Sequence, residues 1–428
     1  MMVSAQAPSA EPSVAAASRA LQASGAAWVL LGGFTAPEGD ARDLSVLIEA
    51  GAQRAVDAAL LDRGYLCVGA RAAGRQRLYV AYDVEQDRWT RVRCVTGIAF
   101  GAAQELPADV VAALLARREL DGGVAALAPA DAFWHALLRV LLDGELRRSD
   151  EKDRVHDWMA SARDASPLAA FVDSLEAGAA TRLIAAVESS DWASAEQIAQ
   201  RLRARWRRLG GRRFSARRLG GLATRAVAAQ PASRGLSLAI LGPDGAGKTT
   251  LAEALVGGLP LPVRYVYLGM WQRKRWREHL RHIIGADLLV VIATLCFKTG
   301  LIAYHRRLGR VVVLDRFTYD ADLPSSSAGW KARVSRRLVM STCPDPDLIV
   351  LLDAPAEVMF ARKGEHTLEK LEELRDGYLS LAQKYRQLTV VDATRPREEV
   401  RRQVTALLWA RLRTTASAGR AAPPRSLA

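Results

Sequence analysis

The sequence predicts an α/β protein whose carboxyl-terminal domain, residues 236–412, is built around a five-stranded parallel sheet. One observation is that short β-rich runs alternate along this domain with longer helical patterns. A second is that these runs are apolar at consecutive positions, which is typical of parallel strands covered on both faces. The third is that runs end at an aspartate or lead into a glycine at the sheet edge where ligands bind. The runs cover residues 236–241, 263–268, 311–315, 348–353 and 388–392.

A chain of 428 residues is too long for one hydrophobic core, so the sequence predicts several domains. Both ends are rich in Ala, Ser and Pro without apolar periodicity, and both are predicted to be disordered. A smaller amino-terminal α/β unit and a mainly helical middle region are expected before the parallel-sheet domain. The expected segments are 1–24 (disordered), 25–106 (α/β unit), 107–208 (helical), 209–235 (basic linker), 236–412 (parallel-sheet domain) and 413–428 (disordered tail).

The composition is typical of a globular protein, because half of the residues are hydrophobic and a quarter are charged. The formal net charge of +14 favours anionic partners, although a GC-rich genome would produce a similar excess of arginine. The four cysteines are widely separated and form no CxxC pair, so neither a zinc site nor a disulfide framework is expected. The amino terminus lacks the pattern of a secretion signal, and a cytoplasmic location is expected.

A basic segment, residues 201–225, separates the two halves of the chain. It contains ten arginines, and no acidic residue lies between Glu196 and Asp244. A nucleic-acid or membrane contact is one interpretation, and a solvated helix followed by a linker is the one we favour. Only Trp206 and Phe214 interrupt the arginines, which is too few aromatic rings for a base-stacking surface. Specific nucleic-acid binding is therefore not expected.

A glycine-rich loop, GPDGAGKTT, follows the first strand of the predicted sheet and matches the pattern G-x-x-x-x-G-K-[ST]. Such a P-loop converges its backbone amides on phosphate oxygens, and the following helix adds its positive end. Lys248 is predicted to contact the β- and γ-phosphates of ATP, and Thr249 to place its hydroxyl on Mg²⁺. The residues predicted to bind the nucleotide are Gly242, Asp244, Gly245, Ala246, Gly247, Lys248, Thr249 and Thr250.

An Asp-Arg pair, Asp315-Arg316, ends the third strand of the predicted sheet. Asp315 is predicted to hold Mg²⁺ through water or to orient the phosphate acceptor, and Arg316 to grip the phosphate of that acceptor. Such pairs are common in sequences, and this one is informative because its strand is expected to neighbour the P-loop. Together with Lys248, these two residues are predicted to be catalytic.

Over residues 236–412 the sequence resembles the thymidylate kinase family of nucleoside monophosphate kinases. The resemblance lies in GPDGAGKTT, VVVLDRFTYD and PDLIVLLDAPAEVMFARK, followed by GYLSLAQKY and VVDATRPREEV. It implies an ATP- and Mg²⁺-dependent phosphotransferase whose acceptor is a nucleoside monophosphate or another small metabolite. It also places Arg362 and Lys363 at the start of a lid. Because the P-loop contains no arginine, Arg362 is expected to supply the catalytic positive charge.

The acceptor region departs from that family. An Arg-Glu-Pro-type motif is typical after the second strand, whereas this chain reads YLGMWQRKRWREHLRH. The acceptor therefore stays open among a nucleotide, a sugar and a lipid-linked intermediate. A second hypothesis is a catalytically weak nucleotide-binding scaffold or regulatory protein, in a process such as surface polysaccharide assembly. Association into a homodimer is a further hypothesis.

An apolar segment, residues 283–304, is flanked by basic clusters. Its uninterrupted apolar part is shorter than the 20 or so residues that a bilayer requires, so a buried helix is the favoured interpretation. Peripheral contact with acidic lipid through the flanking arginines stays open.

The stretch LLGGFTAPEGDARDLSVLI in the amino-terminal unit faintly resembles the nucleotidyltransferase fold, in which an Asp-x-Asp pair follows a glycine-containing turn. Here Asp43 takes the first acidic position but Ser45 takes the second, and Arg93 and Cys94 stand where a third carboxylate would fall. One carboxylate cannot hold two metal ions, so an inactive relative used for binding or assembly is expected. In the helical region that follows, His135 is predicted to be a packed core residue.

Overall fold

The computed structural model describes residues 14–31, 41–71, 76–101, 104, 106–121, 124–143, 149–208, 235–268, 286–323, 340–385 and 387–421. The chain divides into two compact units, Met1–Ala229 and Gln230–Ala428. Most of the predicted basic linker lies outside the described residues.

The amino-terminal unit contains a mixed sheet. The strands of this unit are β1 Trp28–Leu30, β2 Ala41–Ile48, β3 Leu66–Arg71, β4 Gln76–Asp83, β5 Arg88–Val95, β6 Ile98–Phe100, β7 Leu106–Ala108, β8 Glu119–Asp121 and β9 Val124–Ala126. Strands β6 and β7 form a separate antiparallel pair. In the described part of the chain, seven strands pair in the order β3-β4-β5-β2-β1-β9-β8. The β2–β5 and β1–β9 pairs are parallel, and the other pairs in this sheet are antiparallel.

The described α-helices of this unit are α1 Val14–Ala23, α2 Gln53–Asp62, α3 Val111–Ala116, α4 Pro129–Leu138, α5 Ser149–Asp157, α6 Pro167–Leu175, α7 Ala179–Glu188 and α8 Trp192–Trp206. Helices α3 to α8 contribute buried residues to one hydrophobic core. Phe133 and Trp134 of α4 are fully buried in this core. Two of the helices begin at side-chain caps: Ser166 accepts a hydrogen bond from the Leu168 N–H, and Asp191 accepts one from the Ser194 N–H.

The boundary predicted at residue 106 does not separate sheet from helices. Strands β8 and β9 lie within the segment predicted to be mainly helical, and β9 pairs with β1. Each of these strands has only three residues, which is too short to show the alternation that identifies a strand in sequence. The prediction for His135 is confirmed: its side chain is buried, and burial followed by the charge of Arg139 lowers its pKa to about 3.

The prediction that residues 1–24 are disordered is wrong for residues 14–23, which form α1. This helix packs against α2 and buries Leu21 together with three alanines, Ala16, Ala17 and Ala20. Small apolar side chains at helical spacing bury little area each, so the segment has the composition of a tail although it belongs to the core.

Asp43, the first acidic position of the nucleotidyltransferase resemblance, is paired with arginine. The register of the parallel β2–β5 pair places Asp43 opposite Arg91, and the Arg91 Nη2 lies 2.5 Å from Oδ2 of Asp43. A second bond joins Nε of Arg91 to Oδ1. The described residues hold no group of three or more His, Cys, Asp or Glu side chains that could bind a metal ion. The resemblance itself stays a prediction.

The carboxyl-terminal unit contains the predicted parallel sheet. Its strands are β10 Ser237–Leu241, β11 Val263–Tyr267, β12 Val311–Asp315, β13 Leu348–Asp353 and β14 Leu388–Asp392. They pair in the order β11-β12-β10-β13-β14, and every pair is parallel. The described helices are α9 Lys248–Gly258, α10 Ala286–Arg307, α11 Ala356–Lys363, α12 Leu368–Lys384 and α13 Arg397–Ala421. The α/β fold with a five-stranded parallel sheet is thus confirmed.

Helix α10 occupies most of the apolar segment that was expected to be a buried helix. Leu295 and Ile302 are buried, whereas Phe297 is 74% and Tyr304 is 57% exposed, so only one side of the helix packs. The expected buried helix is thus buried on one side and exposed on another. Within the described residues, no helix is both long and apolar enough to cross a membrane. The basic cluster before α10 lies outside the described residues.

The predicted disordered tail from residue 413 is also wrong in part, because α13 continues to Ala421. Val400, Val404, Leu408 and Leu412 are buried at intervals of four residues, which fixes the first half of the helix. Alanine and arginine in the following turns have high helix propensity, so the helix extends past its last buried leucine.

Leu21→Ala should lower the free energy of unfolding by about 2–5 kcal/mol, because it removes a fully buried side chain from α1. Arg19→Ala on the exposed side of the same helix is the matched control and should change stability little. Denaturant unfolding of the full chain measures both. Equal stability of the two variants would show that α1 contributes nothing to the core.

Candidate phosphate-binding site

The P-loop connects β10 to α9 at the carboxyl edge of the parallel sheet. Gly245 has φ +89°, and a Cβ atom at this position would lie 2.4 Å from the carbonyl oxygen of Met359. Gly242 has φ +143°, and its Cβ would lie 2.7 Å from the carbonyl oxygen of Leu352. Only glycine satisfies both the backbone conformation and the close approach of the neighbouring chain.

Lys248 begins α9, and its side chain is buried against the P-loop. Its Nζ donates to the carbonyl oxygens of Gly242 at 2.8 Å and Pro243 at 2.7 Å, and lies 3.4 Å from Oδ1 of Asp244. Burial, and then the charge of Arg316, lower the pKa of Lys248, while Asp244 opposes that effect. A lysine cation is therefore held at the amino-terminal end of a helix, where anions bind.

Asp315 lies at the end of β12, next to β10 in the sheet. Its Oδ2 accepts hydrogen bonds from the Thr249 hydroxyl at 3.0 Å and from the Tyr265 hydroxyl at 2.9 Å. Its Oδ1 is buried and has no hydrogen-bond partner among the described residues. A buried carboxylate oxygen beside a threonine hydroxyl fits a magnesium site, because Mg²⁺ prefers hard oxygen ligands.

The contact of Tyr265 with Asp315 was not predicted from the sequence. Tyr265 lies on the edge strand β11, and burial followed by the contact with Asp315 raises the pKa of its hydroxyl. Pairing of β11 with β12 places Tyr265 beside Val313, two residues before Asp315. The strand order is needed to bring these residues together, so the sequence carries only a weak signal for this contact.

Arg316 adopts a backbone conformation that is rare for a residue with a side chain. Its φ is +68°, which costs about 1–2 kcal/mol for an L-residue. Its backbone N–H donates to the carbonyl of Ile240 at 3.1 Å, and its Nη2 donates to Oδ1 of Asp244 at 2.5 Å. The turn thus directs the guanidinium toward the P-loop rather than along the strand.

A second carboxylate, Asp320, also approaches Arg316. Its Oδ2 lies 3.7 Å from Nη1 of Arg316, and its Oδ1 accepts a hydrogen bond from the Tyr378 hydroxyl at 2.9 Å. Burial lowers the pKa of Arg316, but Asp244 and Asp320 outweigh this effect and raise it. Asp320 lies four residues after Arg316 in DRFTYD, so this spacing could have indicated the ion pair from the sequence. Tyr378 comes from the distant helix α12, and its contact had no such signal.

The predicted lid arginine lies in the last turn of α11. Arg362 is exposed and its Nη2 donates to the carbonyl of Ala393 at 2.9 Å. Lys363 pairs with Glu365 at 3.0 Å and lowers the pKa of Asp244 through its charge. Arg375 on α12 forms two bonds with Asp353, at 2.6 and 2.8 Å. The catalytic role of Arg362 stays a prediction.

The fold and the site define a P-loop α/β unit. No protein-family model matches the chain. The chain is 27% identical over 184 residues to "Probable thymidylate kinase 1" of Saccharolobus solfataricus, a match that covers 40% of this chain and 95% of that relative. It is 33% identical over 111 residues to "Probable thymidylate kinase" of Pyrococcus abyssi, which covers 23% of this chain and 52%, about half, of that relative.

Among solved structures, a thymidylate kinase from Candida albicans matches with a TM-score of 0.35 and 19% identity, over 42% of this chain and 94% of that chain. The two sequence relatives support a thymidylate kinase-like fold for part of the chain, at modest identity.

For the ATP binding that the P-loop pattern predicts, Gly245→Ala should weaken affinity by at least about tenfold, because the strained φ and the contact with Met359 displace the loop. Gly257→Ala is the matched control on the exposed side of α9, where an added Cβ meets nothing within 4 Å. It should preserve binding and raise stability by about 0.4–1 kcal/mol. Calorimetric titration and thermal unfolding measure the two effects. Unchanged ATP affinity in Gly245→Ala would contradict this account of the loop.

Proposed function

We propose that the carboxyl-terminal unit is an ATP- and Mg²⁺-dependent phosphotransferase, with a nucleoside monophosphate or another small metabolite as acceptor. The proposal rests on one arrangement. Lys248 is held at the P-loop, the Thr249 hydroxyl contacts Asp315, and Oδ1 of Asp315 is buried without a partner among the described residues. Basic, hydroxyl and carboxylate groups of this kind suit the phosphates and the cation of a nucleotide.

In this proposal, the P-loop amides and Lys248 bind the β- and γ-phosphates. Lys248 exchanges its bonds to the Gly242 and Pro243 carbonyls for bonds to phosphate oxygens. Thr249 and Asp315 hold Mg²⁺, which neutralises charge on the phosphate oxygens when it is bound. Tyr265 keeps the Asp315 carboxylate oriented by donating to Oδ2. Arg316 lies beside the P-loop on the side of Asp244, where it would face the acceptor.

The names of the sequence relatives suggest a nucleotide kinase, since both are described as probable thymidylate kinases. These relatives support the reaction class. Because the identity is modest and the coverage partial, the acceptor is left to experiment. A cytoplasmic location belongs to the same proposal. Homodimer formation and a peripheral contact with acidic lipid stay predictions of the sequence.

A second candidate function is a nucleotide-binding scaffold or regulatory protein. The pairing of Asp43 with Arg91 in the amino-terminal unit favours it, because a carboxylate bound by a guanidinium does not offer its oxygens to metal ions. In that case ATP binding would control the binding of another molecule by the amino-terminal unit. ATP binding without turnover of any acceptor would support this function over the first.

Lys248→Ala should reduce ATP consumption by about a hundredfold or more across a panel of acceptors, because it removes the cation at the P-loop. Lys370→Ala is the control, since Lys370 is an exposed lysine on α12 that pairs with Glu373. ADP release measured with nucleosides, nucleoside monophosphates and sugars would report the activity. Equal activity of Lys248→Ala and the wild type would exclude the proposed reaction.

Arg362→Ala should lower turnover strongly while ATP affinity stays within about fivefold, if its guanidinium contacts the phosphoryl group mainly in the transition state. This requires that the bond to the Ala393 carbonyl is exchanged when the lid closes. Arg395→Ala provides a control at the adjacent turn, because Arg395 pairs with Glu399 on α13. Unchanged turnover in Arg362→Ala would exclude Arg362 and direct attention to Lys363 or Arg375.

A further inference from the structure

Four charged side chains lie in a row beside the P-loop. Lys248 contacts Asp244, Asp244 contacts Arg316, and Arg316 pairs with Asp320, with closest distances of 3.4, 2.5 and 3.7 Å. The side chain of Asp320 is only 10% exposed, and Tyr378 bonds to one of its oxygens. Charges of alternating sign at these distances stabilise one another in a partly buried site.

Among the residues that the structure describes, this row leaves little positive charge for an acceptor phosphate. The Arg316 guanidinium is flanked by two carboxylates, so the group formed by Asp244, Arg316 and Asp320 carries a net charge of −1 when both acids are ionised. Lys248 balances it in this structure, but the proposed function directs Lys248 to the phosphates of ATP. His366 lies 3.7 Å from Asp244, and the charge of Lys363 lowers the pKa of Asp244. Both contacts are on the side of Arg316 away from Asp320. A second phosphate dianion beside Asp320 would be repelled.

A hydroxyl acceptor has the opposite requirements. It brings no charge, and its oxygen must lose a proton as it attacks phosphorus, so it needs a carboxylate or another base nearby. Asp320 has an oxygen suited to this role. Oδ1 is occupied by the Tyr378 hydroxyl, whereas Oδ2 is 3.7 Å from Arg316, beyond hydrogen-bonding distance, and retains lone pairs for another donor.

We propose that the acceptor is an uncharged alcohol, such as a nucleoside or a sugar, and that Oδ2 of Asp320 binds its hydroxyl and accepts the proton. This inference rests on the proposed phosphotransferase function and names the class of its acceptor. Tyr378 is a positioning residue, because its bond to Oδ1 fixes the carboxylate. Arg316 then holds the Asp320 carboxylate toward the P-loop instead of gripping an acceptor phosphate.

The step balances as an ordinary phosphoryl transfer. The acceptor oxygen forms a bond to the γ-phosphorus of ATP while the bond from that phosphorus to the oxygen bridging the β-phosphate breaks. The hydroxyl proton passes to Oδ2 of Asp320 and is later released to solvent. The products are the phosphorylated alcohol, ADP and one proton.

The groups around Asp320 set the direction of its pH dependence. Burial raises the pKa of Asp320, and Asp244 acts in the same direction, while Arg316, Tyr378 and Lys248 oppose them without cancelling the rise. The base acts only when ionised, so turnover should fall as the pH decreases through this raised pKa. The acidic limb of the rate profile should therefore lie above the ordinary range of an aspartate and should disappear in Asp320→Asn.

Matched pairs of acceptors test the proposal: thymidine with thymidine monophosphate, adenosine with AMP, and glucose with glucose 6-phosphate. Product formation from ATP and Mg²⁺ is followed by phosphorus NMR, with ATP affinity measured separately by calorimetry. The full-length wild type should phosphorylate at least one alcohol faster than its monophosphate. Asp320→Asn should reduce that reaction by about 10²–10⁴-fold, while ATP affinity stays within about fivefold.

Tyr378→Phe separates positioning from folding. It should lower kcat for the alcohol and shift the acidic limb of the profile, with the melting temperature and ATP affinity close to those of the wild type. Faster phosphorylation of a monophosphate than of its alcohol, or full activity of folded Asp320→Asn, would overturn the proposal while the phosphotransferase function stands. ATP binding without phosphorylation of any alcohol would also overturn it. If the wild type does not bind ATP, the phosphotransferase function itself would be overturned.

Discussion

The backbone hydrogen bond from Arg316 to Ile240 joins the ends of two neighbouring parallel strands, and the site depends on this connection. The register of β10 and β12 places Ile240 beside Asp315, so the P-loop and the Asp-Arg pair leave the sheet at the same point. The positive φ of Arg316 then turns its side chain toward Asp244. A chain that continued in an extended conformation would carry the guanidinium elsewhere. The strain at this residue is therefore part of how the site is assembled.

Electrostatic compensation governs this site more than any single ion pair. Lys248 is buried, which lowers its pKa, and the nearby carboxylates of Asp244, Asp315 and Asp320 oppose that effect without cancelling it. Asp244 in turn keeps a lowered pKa despite burial, because Lys248 and Arg316 stabilise its ionised form. A ligand that takes Lys248 away from Asp244 redistributes charge along the whole row. In the proposed reaction, binding of the donor and recognition of the acceptor would thus be coupled through shared charges.

The amino-terminal unit uses its charges differently. Asp43 is bound by Arg91, and Asp57 accepts hydrogen bonds from Arg77, Tyr79 and Gln53 where α2 meets the sheet. These bonds satisfy carboxylates that would otherwise be costly to bury. They hold strands and helix in register and leave these two carboxylates committed to structural contacts. A binding or assembly role for this unit stays a prediction of the sequence.

Much of the carboxyl-terminal fold was predictable from the sequence, because continuous apolar runs and a P-loop pattern are local signals. All five strands lie within the predicted runs, and Asp315 lies beside Thr249 as the strand-end argument expected. Strands β8 and β9 and the alanine-rich helix α1 were missed, since their local patterns are too short or too weakly apolar to identify an element. Only the tertiary structure decided which side chains share a site. Tyr265 and Tyr378 come from an edge strand and a distant helix, and their contacts depend on strand order and packing, which no local pattern encodes.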